Sequence, residues 1–349
     1  MSTSTVRRNF LKAAGFLPLA GLFPLGLSAS GKQRLALERL LPNKLNANST
    51  LGIVAPASII KSDALEKAEE AFTEQGYSLK IGKYVANKYG YFAGTDQERA
   101  EDLVAMFADQ EVDAILIAQG GWGCSRILPY LDFEIIKANP KPLIGFSDVT
   151  ALLLAIYAKT GMVTYHGPNA LSEWNDFTTT QFDRILLKGE SMTYQGYLPS
   201  EGTATDKRFT IMPGTANGFL IGGNLTVMTT LMGSEYLPNF EGAILFLEDI
   251  DEAVYKVDRM LTHLKLVGVL KQVNGIVFTS CNACSANDDT YDYSLRKMLI
   301  DQLKPLGKPA FFGMNIGHVR EKYTLPLGIS AQLNASAGTL QLLERPVNL

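Results

Sequence analysis

Short apolar runs alternate with stretches of helical spacing through the first half of this 349-residue chain. Three continuous apolar runs have the length of buried strands: residues 51–55, 114–118 and 142–146. Three stretches place apolar residues at helical spacing: residues 64–75, 127–131 and 149–159. Such alternation predicts a parallel sheet with helices on both faces. We therefore expect an α/β domain over residues 48–170.

The second half of the chain has a different pattern. Residues 171–207 are polar and without sustained periodicity, which predicts an interdomain connection. Strand patterns then return in four runs: residues 218–221, 243–247, 275–279 and 309–313. A terminal hairpin is predicted from residues 331–334 and 339–343. We expect a second, strand-rich α/β domain over residues 208–349.

The first thirty residues have the features of an export signal. Arg7-Arg8-Asn9-Phe10 precedes an uncharged run at residues 13–29, and small residues follow. This pattern is typical of a twin-arginine signal peptide over residues 1–30, and the run is short for a membrane anchor. We expect a soluble periplasmic or extracytoplasmic protein. Removing three basic residues with the signal changes the formal charge from −3 to about −6, which argues against nucleic acid as a partner.

The three cysteines do not indicate a catalytic role. Cys281 and Cys284 have redox or metal-ligand spacing, but no second cysteine pair or nearby histidine pair completes a zinc site. The residues after Cys284 are typical of a loop, whereas a thioredoxin-like pair stands at a helix N-terminus. A local loop disulfide or two free thiols are the favoured interpretations. We expect neither a metal nor a cofactor.

Ser147 lies in Gly145-Phe146-Ser147-Asp148, between a predicted strand and a predicted helix. At such a turn, backbone NH groups and the helix dipole can stabilise an oxyanion beside a nucleophilic hydroxyl. Val149 replaces the second glycine of a Gly-x-Ser-x-Gly elbow. Considered alone, the segment favours a serine that only caps the helix.

A glycine-rich loop strengthens the catalytic interpretation. Gln119-Gly120-Gly121-Trp122-Gly123 follows another predicted strand, so it should lie at the same sheet edge as Ser147. Its glycines permit close backbone approach and can present an NH group to a tetrahedral intermediate. The alternative is a tight turn in which Trp122 fills the core. The loop does not match a nucleotide-binding fingerprint.

Three histidines are available for a general base. His263 lies in a predicted helix and is expected at the surface or in packing, whereas His166 is expected in a turn after a strand at residues 162–164, where it could contact substrate. His318 follows Gly317 in a predicted loop suited to a base. Glu248 ends an apolar strand, with a solvated acidic cluster or a cation site as the alternatives.

Several ordered motifs resemble those of the LD-carboxypeptidase family of serine peptidases, which includes muropeptide tetrapeptidases and microcin C immunity peptidases. The resemblance covers essentially the whole chain after the signal, and its motifs stand in the family's order: Gly52-Ile53-Val54-Ala55-Pro56-Ala57-Ser58, Phe92-Ala93-Gly94-Thr95, Gly120-Gly121-Trp122-Gly123, Gly145-Phe146-Ser147-Asp148, Gly222-Gly223-Asn224-Leu225, Leu247-Glu248-Asp249-Ile250 and Gly317-His318.

The resemblance implies a role for each matching residue. Ser147 would be the nucleophile, with Glu248 and His318 completing a triad, and the backbone NH groups of Gly121 and Asp148 would form the oxyanion hole. It also implies a flavodoxin-like N-terminal domain with the serine, a C-terminal domain with the other two residues, and a homodimer. Two features depart from the family: Gln119 replaces a common arginine, and many family tetrapeptidases are cytoplasmic.

We therefore predict a metal-independent serine carboxypeptidase that removes D-alanine from peptidoglycan tetrapeptides at the L,D bond. Gly120, Trp122 and His166 are the candidate substrate contacts. One alternative is hydrolysis of a peptidyl-nucleotide antibiotic, for which stacking on Trp122 would be a sign. The other is a wall-peptide binding protein without turnover, against which the complete set of triad residues argues.

Overall fold

The computed structural model describes residues 38–196, 208–284 and 293–349, which contain two β-sheets. The predicted signal at residues 1–30 and part of the predicted connection, residues 197–207, lie outside the described residues. Within the described part of the chain, no helix is long and apolar enough to cross a membrane.

The first sheet is mostly parallel. Among the described residues it has six strands: β1 (Thr50–Val54), β2 (Ser78–Ile81), β3 (Ala114–Ile117), β4 (Leu143–Gly145), β5 (Tyr165–His166) and β12 (Leu325–Pro326). Their order is β2-β1-β3-β4-β5-β12, in which only the β5–β12 pair is antiparallel. The order 2-1-3-4-5 of the parallel strands is that of flavodoxin, so the predicted fold class is confirmed.

Helices connect and cover the strands of the first sheet. They are α1 (Ser62–Glu74), α2 (Asp96–Ala108), α3 (Cys124–Ile127), α4 (Phe133–Ala138), α5 (Thr150–Thr160) and α6 (Asp176–Leu186), with 3-10 turns at Leu128–Tyr130 and Ser147–Val149. A capping box between Thr95 and Glu98 fixes the start of α2. Helix α5 is apolar on all sides because it packs between β4 and β5 of the first sheet and β8 (Thr215–Asn224).

The second sheet is mixed. The described residues give it eight strands: β6 (Thr193–Gln195), β7 (Phe209–Met212), β8, β9 (Ile244–Ile250), β10 (Gly275–Asn282), β11 (Ala310–Phe312), β13 (Ser330–Asn334) and β14 (Thr339–Leu342). Their order is β6-β14-β13-β8-β9-β10-β11-β7, with β8 to β11 parallel. The predicted terminal hairpin is confirmed as the antiparallel pair β13–β14.

Helices of the second half cover the parallel strands of this sheet. They are α7 (Leu225–Thr230), α8 (Val254–Leu266), α9 (Val269–Gln272) and α10 (Leu295–Leu303), followed by a 3-10 turn at Lys304–Leu306. The side chain of Asn224 caps α7 by accepting a hydrogen bond from the Val227 NH group. The backbone NH group of Asn224 donates to Thr150 Oγ1 over 3.0 Å, so this residue joins the second sheet to α5.

The predicted connection at residues 171–207 contains a helix in its described part: α6, which Asn175 caps and which buries Phe182 and Ile185. One local prediction is wrong. Residues 127–131 were expected to begin a helix. Instead α3 ends at Ile127 and a 3-10 turn containing Pro129 follows, because proline in this position favours a new first turn over a continued α-helix.

Within the described residues, the chain passes between the two sheets three times. Strand β6 precedes residue 208 but belongs to the second sheet, and β12 follows His318 but pairs with β5 of the first sheet. The predicted boundaries at residues 170 and 208 therefore do not coincide with sheet membership, and they stay a prediction.

Candidate active site

Ser147 occupies a strained turn at the carboxyl end of β4. Its φ of 68° places a non-glycine residue in the left-handed region, a conformation that costs free energy and is concentrated at functional sites. The side chain of Asn169 accepts a hydrogen bond from the Phe146 NH group over 3.1 Å and so supports the extended residue before the turn. The 3-10 turn Ser147–Val149 then leads into α5. This is the backbone arrangement of a nucleophile elbow, without its second glycine.

His318 and Glu248 come from the second sheet. Glu248 lies on β9, and His318 follows β11 in a loop that β10 holds in place. Ser280 Oγ and Thr279 Oγ1, both on β10, donate to the carbonyl oxygen of Ile316 over 2.8 and 3.2 Å. These bonds fix the loop two residues before His318.

The three side chains form one hydrogen-bonded series. His318 Nε2 lies 3.0 Å from Ser147 Oγ, and His318 Nδ1 lies 2.7 Å from Glu248 Oε2. The His318 NH group also donates to Glu248 Oε2 over 3.3 Å. The structure therefore brings the side chains of the three predicted triad residues together. An imidazole held between a hydroxyl and a carboxylate can remove the hydroxyl proton and store it as an imidazolium.

Gly317 permits the approach of His318 to Glu248. Its φ is +98°, and a Cβ atom at this position would overlap Glu248 Oε2. Any side chain here would therefore move either the carboxylate or the loop that carries His318.

Burial and charge act in opposite directions on Glu248. The side chain is 0% exposed, and burial by itself raises the pKa of the carboxyl group. The hydrogen bond and charge of His318, with smaller contributions from His166 and Asn224, lower the pKa and together outweigh burial, so the net direction is downward. The carboxylate is therefore in its ionised form at neutral pH, as the support of an imidazolium requires.

The glycine-rich loop after β3 lies against Ser147. A Cβ atom on Gly120 would come 2.9 Å from Ser147 Cβ, which shows how closely the loop backbone approaches the hydroxyl. Gly121 has a φ of +109°. Its NH group and that of Asp148, which lies in the first turn of a helix where NH groups lack intrahelical acceptors, are the predicted oxyanion donors. Their role as oxyanion donors stays a prediction.

Gln119 fixes the loop instead of contributing a charge. Its Nε2 donates to Ser58 Oγ over 3.0 Å and to the carbonyl oxygen of Ile59 over 2.7 Å. Ser58 Oγ in turn donates to the carbonyl oxygen of Gly120 over 2.8 Å. The amide therefore joins the segment after β1 to the segment after β3, two strand ends at which ligands bind in such sheets.

The side chains of Asp148 and Arg99 make hydrogen bonds to the backbone at the end of the glycine-rich loop. The sequence did not indicate these contacts. Asp148 Oδ2 accepts from the Cys124 NH group over 2.7 Å. Burial raises the pKa of Asp148, against the hydrogen bond from Cys124 and the charge of Arg99. The Arg99 guanidinium donates to the carbonyl oxygens of Pro56 and Gly123. No periodicity reveals such contacts, because they depend on tertiary proximity.

The three candidate substrate contacts differ in exposure. Gly120 adjoins Ser147, and Trp122 is 49% exposed, so the alternative of a core-filling Trp122 is wrong. The expected turn at His166 is also wrong. This residue lies in β5 opposite Gly145 and is 1% exposed, with its ring against those of Phe146 and Phe246. Burial lowers the pKa of His166 to about 4. Its contact with substrate stays a prediction, although it presents almost no surface here.

The acidic residues near Glu248 do not form a solvated cluster. Glu248 and Asp249 are buried, and Asp249 accepts hydrogen bonds from Thr226 and Asn224. Burial raises the pKa of Asp249 to about 6. Among the described residues, no group of three His, Cys, Asp or Glu side chains is arranged to hold a metal ion.

Cys281 and Cys284 form a disulfide at the end of β10. Of the two interpretations left open by the sequence, the structure therefore has the loop disulfide. Cys124 is a free, buried thiol whose pKa burial raises, which disfavours the reactive thiolate.

Comparison with known proteins agrees with this architecture. The sequence model for the LD-carboxypeptidase N-terminal domain matches residues 51–167, and the model for the LD-carboxypeptidase C-terminal domain matches residues 217–333. A probable murein peptide carboxypeptidase of Bacillus subtilis is 37% identical over 303 residues, which cover 85% of this chain and 92% of the relative. The chain belongs to the LD-carboxypeptidase family. The expected family is thereby confirmed.

Two further relatives extend the comparison. The murein tetrapeptide carboxypeptidase of Pseudomonas aeruginosa is 30% identical over 297 residues, 82% of this chain and 93% of that protein. The structure of MccF in complex with glutamyl sulfamoyl guanosine has a TM-score of 0.81 and 27% identity, and the match covers 88% of this chain and 100% of MccF. The relatives support a carboxypeptidase function for this member of the family.

Proposed function

We propose that this protein is a serine LD-carboxypeptidase that releases the terminal D-alanine of peptidoglycan-derived tetrapeptides. The hydrogen-bonded series Ser147, His318 and Glu248 carries the proposal, because it places a hydroxyl, a base and a buried carboxylate in the order that acyl transfer needs. The relatives named as murein peptide and murein tetrapeptide carboxypeptidases support the substrate class.

The proposed reaction proceeds through an acyl-enzyme. Ser147 Oγ attacks the carbonyl carbon of the bond between the diamino acid's L centre and D-alanine, and His318 Nε2 takes the hydroxyl proton. The NH groups of Gly121 and Asp148 stabilise the oxyanion. The intermediate then expels D-alanine, whose amine receives the proton from His318. A water molecule, deprotonated by His318, releases the shortened peptide and restores Ser147.

Mass spectrometry of a purified tetrapeptide incubated with the protein tests the proposal. We expect loss of one alanine with the wild type, and a rate at least about 10³-fold lower with Ser147→Ala. Circular dichroism of both proteins controls for folding. An active Ser147→Ala protein would contradict the serine mechanism. Binding of the tetrapeptide by a wild type without turnover would favour a wall-peptide binding protein.

A second candidate substrate is a peptidyl-nucleotide antibiotic. The similarity to MccF and the exposed ring of Trp122, on which a base could stack, favour it. A competition assay with equal concentrations of tetrapeptide and an aminoacyl sulfamoyl nucleoside separates the two. We expect the tetrapeptide to be consumed first, and the reverse order would favour the antibiotic.

Export and assembly form a separate part of the proposal. We propose that the twin-arginine segment directs the protein to the periplasm and that the mature protein is a homodimer, on the basis of residues 1–30 and of the family resemblance. Replacing Arg7 and Arg8 together by lysine should leave the precursor in the cytoplasm, as fractionation would show. Sedimentation of the mature protein would give its oligomeric state.

A further inference from the structure

A buried lysine lies beside the turn that carries Ser147 and has no part in the proposed proton transfers. Lys322 is 5% exposed and stands four residues after His318. Its backbone NH group donates to Thr178 Oγ1 over 3.2 Å, which fixes this part of the chain against α6. Its Nζ lies 5.3 Å from the centroid of the Phe146 ring.

Lys322 differs from the other buried cations in the described part of the chain. Arg99 donates to the carbonyl oxygens of Pro56 and Gly123, and Lys141 Nζ donates to those of Met106 and Asp109. Among the described residues, Lys322 Nζ has no hydrogen-bond or ion-pair partner, and it is not one of the fully enclosed side-chain atoms without a partner, so it keeps some contact with solvent. A buried charge is normally paired because its desolvation is costly. This ammonium group is therefore held beside the site without a partner from the protein.

The carboxylate whose charge acts on Lys322 already has another partner. Glu173 raises the pKa of Lys322 through its charge, but burial is the larger influence and the net pKa is lowered. Glu173 Oε1 accepts a hydrogen bond from Arg320 Nε over 2.8 Å, at the protein surface. Lys322 therefore has no carboxylate partner among the described residues, and an anion beside it would stabilise its charged form.

Phe146 connects Lys322 to the reacting groups. Its ring lies 4.9 Å from that of His318, and the next residue is Ser147. In a carboxypeptidase substrate, the free carboxylate belongs to the residue that follows the scissile carbonyl. One residue spans at most about 3.6 Å, so the carboxylate carbon lies about that far from the carbonyl carbon that Ser147 attacks. The Lys322 ammonium group lies over the Phe146 ring at the end of a flexible four-carbon stem. It is thus suitably placed to bind that carboxylate.

We propose that Lys322 binds the free α-carboxylate of the substrate's terminal residue and so restricts the enzyme to chain ends. The inference rests on the proposed function and deepens it, because it assigns a residue to the difference between a carboxypeptidase and an endopeptidase. Lys322 acts as a specificity-determining residue. A substrate whose terminal carboxylate is replaced by an amide lacks the charge that pairs with the ammonium group.

Steady-state kinetics on two matched substrates test the inference. The substrates are the tetrapeptide with a free carboxylate and the same tetrapeptide with a terminal amide, and the proteins are wild type, Lys322→Met and Lys304→Met. Methionine keeps the volume and the apolar stem while removing the charge. Lys304 is the matched control because it is an exposed lysine away from the candidate site.

We expect Lys322→Met to lower kcat/KM for the free tetrapeptide by about 10-fold to 100-fold. Its kcat/KM for the amide should stay within about 3-fold of the wild-type value, and Lys304→Met should keep the wild-type preference. The Lys322→Gln variant should behave as Lys322→Met does, which separates loss of charge from a packing defect.

Three results would overturn the inference. An unchanged preference in an active Lys322→Met protein would show that another group binds the carboxylate. An equal loss on both substrates, in a variant with wild-type circular dichroism, would show a role in supporting Phe146 and His318. Absence of turnover by the wild type on either substrate would instead contradict the proposed function, and this inference with it.

Discussion

The two sheets contribute to the candidate site in different ways. The first sheet positions Ser147 through backbone conformation, with a φ of 68° at the serine and Gly120 packed against it. The second sheet positions His318 and Glu248 through side-chain burial and a short hydrogen bond of 2.7 Å. One half of the site therefore depends on steric fit of the backbone, and the other half on electrostatics.

The two halves of the site should therefore be sensitive to different kinds of substitution. On the first sheet, a small change in backbone geometry would move the hydroxyl or the oxyanion donors. On the second sheet, a change of charge without change of shape should be enough to stop proton transfer. Gly317 belongs to the half of the site on the second sheet, yet it acts through backbone geometry as the first half does. Its positive φ and its lack of a Cβ atom leave room for the Glu248 side chain.

The largest effect is expected from removing the charge of Glu248 while keeping its shape. Glu248→Gln places an amide beside His318 Nδ1, and an NH₂ donor there favours the wrong imidazole tautomer. We expect kcat to fall by about 10³-fold to 10⁴-fold on the tetrapeptide. Circular dichroism and a thermal melt would show whether the fold is kept. A well-folded variant with more than a tenth of wild-type kcat would contradict the electrostatic description of this half.

A smaller loss is expected from Gly317→Ala. Its Cβ would overlap Glu248 Oε2, so the carboxylate and His318 would no longer meet in the present geometry. We expect kcat/KM to fall by about 10²-fold. Gly233→Ala is the matched control, since Gly233 also has a positive φ, +87°, but its added Cβ would contact nothing within 4 Å.

Gly233→Ala should lose about 1–3 kcal/mol of stability because it forces alanine into a positive φ, and Gly317→Ala should lose more, because its Cβ also overlaps buried Glu248. Chemical denaturation would measure this loss for each variant. Only Gly317→Ala should lose activity. Equal kcat/KM values for the two variants would show that Gly317 matters only through backbone strain.

The smallest effect concerns stability against acid. His166 has a pKa of about 4 in the folded protein because of burial, and a pKa of 6.5 is its ordinary value. As the pH falls from 6.5 towards 4, the unfolded chain takes up a proton that folded His166 refuses, so stability is lost over this range. Between pH 7.5 and pH 5 this amounts to about 2 kcal/mol.

His166→Phe keeps a planar ring against Phe146 and Phe246 and removes the titrating group. Urea denaturation of both proteins at pH 7.5 and pH 5 gives the comparison. The wild type should lose about 2 kcal/mol more than the variant between the two pH values. The same loss in both proteins would show that His166 does not titrate as its burial implies.

Motifs with local signals could be predicted from the sequence. Ser147 follows β4, Glu248 lies near the end of β9, and His318 follows Gly317 in the loop after β11. Each was recognisable from the apolar run or the glycine that precedes it. The parallel first sheet followed from the alternation of apolar runs and helical spacing, and the family from the ordered motifs.

Features that depend on tertiary proximity could not be predicted. Helix α6 contains many polar residues, so the helical spacing of its buried Phe182 and Ile185 is not evident in the sequence. His166 was assigned to a turn after a strand at residues 162–164, yet pairing with β4 places the strand β5 at Tyr165–His166 instead. Lys322 gives no sign in the sequence that it is buried, since its environment is built by Phe146 and α6, far away along the chain.

Covalent labelling tests the central claim most directly. The claim is that Ser147 is a nucleophile activated across the two sheets by His318 and Glu248. The protein would be treated with a fluorophosphonate, the adduct located by peptide mass mapping, and the labelling rate compared with that of His318→Ala. We predict a single adduct on Ser147 and a rate at least about 100-fold lower in the variant. An adduct on another residue, or an unchanged rate in His318→Ala, would contradict the account.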